Sequence, residues 1–380
     1  MDLETFRALL TEEGQALLAV LQDTDPAQEP AAPAGLRRTH GAALVDAARE
    51  QVRLRRQAAA KFGEHAPRLY FTPDSVELSS HLAVSEYKLD RVLNEIGVVM
   101  IDAMSLGSGA DAHVLGWSHM TSAVDGDRLT VEIAAANRQG MDEPMLDLTC
   151  GDVTEFDSQG EAVFIDLMRR PGPDHRHGDP ESYDPPLSWA LERLHTTGAG
   201  WIRLAPGLPD EAVPGLGGAH EAEWISYDGH IQEAVLWFGV DELWTPQPDP
   251  VRKATLLPAG ASLTGRGLPH PAVRAAGRYL YAPDPAVVHA RLLPELAEDL
   301  AAGLLEGGGT LLTSDELRPT PFAAAYEISG ALPFTGAAPP AAAAAQGVRT
   351  EADAFGADLA PHAPVAPTAR SSRPRRRSGS

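Results

Sequence analysis

The chain predicts an α/β fold, a mostly parallel sheet with helices on both faces, and three observations carry that expectation. From residue 96 to about 240, short apolar runs alternate with helical patterning, the order that builds parallel strands joined by crossover helices. Met100-Ile-Asp-Ala-Met104 leads straight into Ser105-Leu-Gly-Ser-Gly109, a strand turning into a helix through glycines that let the backbone bend and a ligand approach. Acidic residues then follow successive apolar runs: Asp125 after Thr121-Ser-Ala-Val124, Asp152 after Met145-Leu-Asp-Leu-Thr-Cys-Gly151, and Asp166 after Ala162-Val-Phe-Ile165. Acids in that order gather on the edge of a parallel sheet where nucleoside ligands bind.

The remaining elements follow in chain order. Leu3, Phe6, Leu10, Leu17 and Leu21 lie at helical spacing, so residues 2–22 read as one amphipathic helix. The Pro- and Ala-containing stretch from Asp23 to Gly35 reads as a loop, and helical patterning resumes from about Ala42 to Phe62. Thr72-Pro-Asp74 offers a capping residue followed by proline at the first helical position. A further helix containing Tyr87 to Leu93 leads into the first strand. Asp184-Pro-Pro-Leu187 has the look of a base-holding D-P-P motif, but its position favours the opening turn of a helix. Beyond residue 245 come short strands and a helix read from Leu292 to Leu305, a small α+β lobe. The expected organisation is a helical region at 1–95, the parallel sheet at 96–244, the lobe at 245–334 and a tail at 335–380. That tail is rich in Ala and Pro, ends Arg373-Pro-Arg-Arg-Arg377, and is expected to be disordered.

Composition narrows the function classes. The 380 residues are 43% hydrophobic, enough for a core, and no apolar run approaches the ~20 residues that span a membrane. Met1-Asp-Leu-Glu-Thr-Phe-Arg7 lacks the basic-then-apolar order of a signal peptide, so a cytoplasmic location is expected. Cys150 is the single cysteine and is expected to pack in a buried strand. The net charge of −22 argues against a strong nonspecific grip on nucleic acid, which needs clustered cations. Arg53, Arg55, Arg56 and Lys61, near Arg37 and Arg38, could form a small basic face or simply a solvated one. His175 and His177 sit in a Pro- and Gly-rich stretch that would preorganise a metal poorly, and no metal is expected. No P-loop, G-x-S-x-G or C-x-x-C motif is present.

The glycine turn and acid series fit an S-adenosylmethionine site better than a dinucleotide one, and here the chain resembles a known family. Phe62-Gly63, Leu69-Tyr-Phe-Thr72, the glycine motif, Val124-Asp125, Gly151-Asp-Val-Thr154 and Ala162-Val-Phe-Ile-Asp-Leu-Met-Arg-Arg170 resemble actinobacterial class I methyltransferases with a THUMP-like C-terminal domain. The resemblance continues through Ser182-Tyr-Asp-Pro-Pro-Leu-Ser-Trp189, Leu204-Ala-Pro-Gly207, Glu223-Trp-Ile-Ser226 and Glu233-Ala-Val-Leu-Trp-Phe-Gly239. It extends over Ala254-Thr-Leu-Leu-Pro258, Gly277-Arg-Tyr-Leu-Tyr281 and Leu312-Thr-Ser-Asp-Glu-Leu317 to Leu332-Pro-Phe334.

The resemblance implies a Rossmann-like methyltransferase sheet, a THUMP-like lobe, S-adenosylmethionine as cofactor, and RNA as the suggested acceptor. On this reading Gly107, Gly109 and Asp111 form the donor loop, and Asp125 holds the ribose hydroxyls. Asp152 and Val153 meet the adenine. Asp166 stands beside the methyl group with Arg169 and Arg170, the carboxylate to position or deprotonate a nucleophile and the arginines to hold a phosphate. The departures are also specific. Where the family carries a strand-end Asp this chain has Ala103, with Asp102 one residue out of register; Ser105 replaces a Gly, and Leu167 a Pro. Two function classes remain: an S-adenosylmethionine-dependent methyltransferase, or a non-catalytic relative that serves as an RNA- or protein-binding module.

Overall fold

The structure is a computed structural model that describes residues 1–23, 35–106, 109–167, 180–208, 218–239, 249–331 and 357–361. The chain divides into two compact units, one of Met1–Tyr227 with Ile231–Val251, the other of Asp228–His230 with Arg252–Ser380.

The first unit opens with helices. α1 (Leu3–Leu9) and α2 (Glu12–Gln22) replace the single helix expected over 2–22. Thr11 takes an extended conformation and caps α2 by accepting from the Gly14 amide, which stops α1 and restarts the chain. A Cβ on Gly14 would overlap the backbone of Ala8 and Leu9, so the corner needs that glycine. α3 (Ala42–Phe62) follows as expected, and α4 (Pro73–Leu78) begins with a capping box between Thr72 and Ser75 and proline in its first turn. α5 (Leu82–Arg91) runs on through a wider π turn at Val92–Ile96. Phe6, Leu9, Leu17, Leu18, Leu21, Val45, Val52 and Tyr70 form one buried cluster that also takes in Ile133, so these helices share a core with the sheet's own crossover helix. Phe6 meets Tyr70 edge to face with ring centroids 5.5 Å apart.

The sheet strands are β1 (Met100–Met104), β2 (Met120–Asp125), β3 (Leu146–Cys150), β4 (Ala162–Asp166), β5 (Gly200–Leu204), β6 (Glu221–Tyr227) and β7 (His230–Phe238). Crossovers are made by α6 (Ala110–Leu115), α7 (Arg128–Gly140) and α8 (Leu187–Thr197). The order is β3-β2-β1-β4-β5-β7-β6. β1 to β5 pair in parallel and β7 lies antiparallel to β5. β4 and β5 are buried along their whole length, which is why they read as continuous apolar runs. β3 is the edge strand and only Leu146 of it is buried. Cys150 is therefore exposed, contrary to the packing role expected from its apolar neighbours. Asp184-Pro-Pro186 leads directly into α8, which begins at Leu187 with Pro186 as its cap, so the segment is a helix entry as expected, its prolines one position ahead of the first turn.

The second unit has a hairpin of β8 (Val251–Leu257) and β9 (Ala261–Thr264). Its separate sheet has β10 (Val273–Arg274), β11 (Tyr279–Pro283), β12 (Gly303–Leu305), β13 (Leu312–Ser314), β14 (Ala323–Ala331) and β15 (Ala357–Pro361), in the order β10-β12-β13-β11-β14-β15. Two short helices, α9 (Pro285–His289) and α10 (Leu293–Leu300), complete it. The helix expected over Leu292–Leu305 stops at Leu300 because Ala301 turns left-handed, at φ 48°, and 303–305 become strand β12. Within the stretch expected to be a disordered tail, Ala357–Pro361 pairs antiparallel with β14; the rest of that tail lies outside the described residues.

Candidate functional site

The strand order reverses between β1 and β4, where the crossovers leave in opposite directions. A ligand crevice opens outside the carboxyl ends of the strands at such a switch point. The expected donor loop starts there. Ser105 takes a left-handed conformation, φ 62°, and its amide donates to the Val124 carbonyl at 3.1 Å, bending the chain off the end of β1. Gly109, at φ 78°, is the cap of α6, and a Cβ there would press on the His113 ring at 3.3 Å. Gly107 lies outside the described residues.

Asp125 ends β2 and is fully buried. Its Oδ1 accepts from the Asp127 amide at 2.8 Å and its carbonyl from the Gly151 amide at 3.1 Å, tying the ends of β2 and β3 together. Asp152 follows β3 and is exposed. The hydroxyl and amide of Thr154 donate to it at 2.7 and 2.8 Å and hold its carboxyl below the usual aspartate range. Val153 beside it is half-buried. Asp102 accepts from Ser158 Oγ at 2.5 Å and the Gly160 amide at 2.7 Å, both in the connection that precedes β4. Its carboxylate is thus taken up by the connection into β4.

Asp111 and Asp166 belong to one buried chain of charges. Lys88 Nζ on α5 lies 2.7 Å from Asp111 Oδ1 and 2.5 Å from Glu233 Oε1 on β7. Arg203 on β5 donates to Glu233 Oε2 at 2.7 Å, to Asp166 Oδ2 at 2.9 Å and to the Leu78 carbonyl at 2.7 Å. Ser80 Oγ stands 2.9 Å from Asp111 and 2.6 Å from Glu233. Burial alone would raise the Glu233 carboxyl, but Lys88 and Arg203 outweigh it and hold the group ionised, well below its ordinary value. The Arg203 guanidinium is likewise opposed by burial and kept charged by Asp166 and Glu233. A second cluster adjoins on the same helix. Arg91 pairs with Glu221 at 2.6 Å and Glu223 at 2.8 Å, lies over the Trp237 ring at 4.2 Å, and Tyr87 donates to Glu223 at 2.6 Å.

Of the two alternatives for α3, a small basic face or a solvated one, the structure does not assemble the basic face from Arg53, Arg55 and Lys61. Arg55 is buried and donates to the Leu69 carbonyl, Arg53 pairs with Glu50, and Lys61 donates to the carbonyls of Glu77 and Ser79 at 2.7 Å. These cations are spent on the protein's own backbone and acids. Arg169, Arg170, His175 and His177 lie outside the described residues. Among the described residues no group of His, Cys, Asp and Glu could hold a metal ion, and no helix is long and apolar enough to cross a membrane.

Lys88, Arg203, Glu233 and Ser80 were not among the residues expected from the sequence. A signal exists: Arg203 sits in an otherwise apolar strand, Glu233 opens the apolar run of β7, and Lys88 shares a helix face with Ser85 and Arg91.

Residues 2–58 match a model for a domain of unknown function (DUF8688). Two Mycobacterium tuberculosis proteins, from strains H37Rv and CDC 1551, are each 29% identical over 277 residues, covering 71% of this chain and 74% of theirs. Both carry the description uncharacterized S-adenosylmethionine-dependent methyltransferase. The crystal structure of a Porphyromonas gingivalis W83 protein, provisionally assigned as a methyltransferase, superposes with a TM-score of 0.66 at 17% identity, covering 88% of this chain and 84% of that one. In sequence the chain is thus similar to actinobacterial methyltransferases, and in fold to a protein of that provisional assignment.

Proposed function

We propose that this chain is a class I S-adenosylmethionine-dependent methyltransferase whose donor site is the switch point between β1 and β4. The observation that carries the reading is one arrangement: a left-handed turn leaves β1 at the reversal of strand order, beside a fully buried carboxylate at the end of β2. The residues fit the donor. Gly109 takes the left-handed turn that opens α6, a conformation that favours glycine, and Asp125 is an acid buried at a strand end. Gly107 and Gly109 would let the donor approach the backbone, Asp125 would accept from its ribose hydroxyls, and Asp152 with Val153 would meet its adenine. When bound, S-adenosylmethionine supplies a methyl group on a cationic sulfur that is already a good leaving group.

The chain's own task is then mainly to hold two partners in line, which needs few catalytic groups. Asp166, fixed by Arg203, would accept a hydrogen bond from the acceptor nucleophile and orient its lone pair toward the methyl. Arg169 and Arg170 would hold a phosphate of the acceptor. We take an RNA base as the acceptor and the second unit as a THUMP-like lobe. Both readings rest on the sequence resemblance, since Arg53, Arg55 and Lys61 of α3 are engaged within the protein. Ala103 and Ser105 favour the second reading, a binding module that keeps the scaffold without the reaction.

Methyl-labelled S-adenosylmethionine, incubated with the enzyme and bacterial RNA or protein fractions, separates these readings. Label in nuclease-sensitive material is expected. Label in protein alone contradicts the RNA acceptor, and donor binding with transfer to neither fraction favours the binding module.

A further inference from the structure

The buried charges form a single alternating path: Asp111, Lys88, Glu233, Arg203, Asp166. Asp111 stands on the helix that follows β1, and Asp166 ends β4, so the path runs from one flank of the switch point to the other. Glu233 is its centre. One carboxylate oxygen faces Lys88 and the other Arg203, and Ser80 bridges Asp111 to Glu233 in parallel with Lys88. The three inner members are 0 to 2% exposed at their side chains, whereas Asp111 and Asp166 are 7 and 6% exposed. The ends of the path are its least buried members.

Burying five charged groups is costly, and an apolar replacement of the same shape is often at least as stable, so stability alone gives little reason for such a path. A carboxylate gripped from two sides by cations, each of which grips a further acid, ties the geometry at one end to that at the other. In a low-dielectric interior this coupling is not screened.

We propose that Glu233, with Lys88 and Arg203, is a positioning residue that couples the donor-side acid Asp111 to the acceptor-side acid Asp166, so that a ligand seated at one end sets the orientation of the other. The proposal rests on the donor-site reading above. It assigns Glu233 no contact with substrate; the residue acts through its two cations.

A double-mutant cycle tests it on the full chain, with S-adenosylhomocysteine as the probe and calorimetry as the readout. Dissociation constants are measured for the wild type, Asp111→Asn, Asp166→Asn and the double variant, then again with Glu233→Gln present throughout. In the first cycle the double variant should differ from the product of the single effects by about three-fold or more, as residues of one network do. With Glu233→Gln the two effects should multiply. A purely structural role for Glu233 would weaken binding but leave the interaction between the ends intact.

Multiplying effects in the first cycle, or coupling that survives Glu233→Gln, overturn the proposal. Should Glu233→Gln not fold, Lys88→Gln takes its place, since it keeps a donor group and removes the charge; coupling that survives it is equally fatal. A folded wild type that binds no S-adenosylhomocysteine at millimolar concentration overturns the donor-site reading itself, and the coupling with it. Intact binding with independent ends overturns the coupling alone.

Discussion

Asp166 and Arg203 are register partners on adjacent parallel strands, and their side chains close a buried ion pair of 2.9 Å across the end of the sheet. The pair fixes the orientation of the carboxylate taken here as the acceptor-side acid. Removing only the cation takes one buried charge partner from each of two buried acids, Asp166 and Glu233. Arg203→Met should therefore destabilise the fold by about 3–5 kcal/mol in urea or thermal unfolding. A cost below about 1 kcal/mol would show that the pair is solvated in the folded protein.

Ser105 holds a left-handed turn that a glycine takes without strain. A left-handed conformation costs a residue with a Cβ roughly 1–2 kcal/mol, partly offset because glycine gains more freedom in the unfolded chain. Ser105→Gly should raise stability by about 0.5–1 kcal/mol, visible as a higher melting temperature. A Ser105→Val variant, β-branched in the same conformation, should lower it. A lower melting temperature for the glycine variant would mean that the serine hydroxyl contributes more than the turn costs.

Lys61 carries a pH signature. Burial, with Arg203 nearby, lowers its ammonium to about 8 from an ordinary 10.5. Between those values the folded chain has released a proton that the unfolded chain still binds, so stability rises with pH across that window. The penalty for burying the charge is fully present below about pH 8 and is relieved as pH climbs toward 10.5. Lys61→Met should remove this rise from a stability–pH profile and leave the slope elsewhere unchanged. An identical slope in both proteins would place the Lys61 charge in solvent.

Cys150, exposed on the edge strand β3, should react with one equivalent of a thiol reagent in the native protein. Reaction only after unfolding would return this strand end to the interior.

The sheet was legible because β2 and β4 each end at their acid, and β1 is a short apolar run that leads straight into the glycine turn. The break at Thr11 was not, because Leu10 and Leu17 keep helical spacing across a capped corner. Cys150 was misplaced for a related reason: an edge strand with little cover has the same local composition as a central one. The glycine turn and Asp125 could be read locally. The charge path could not, because its bonds join residues as far apart as Lys88 and Glu233, 145 positions along the chain. Only the oddity of Arg203 inside an apolar strand marks it in advance.

The central claim is that the end of β1 and the end of β2 together hold S-adenosylmethionine. Calorimetric titration of the wild type and of Asp125→Ala, both shown to be folded, tests it most directly. The account predicts micromolar binding by the wild type and a loss of about ten-fold or more in the variant, the ~1.4 kcal/mol of a hydrogen bond to a charged group. Absence of binding by the folded wild type at millimolar ligand, or equal binding by the two proteins, would contradict it.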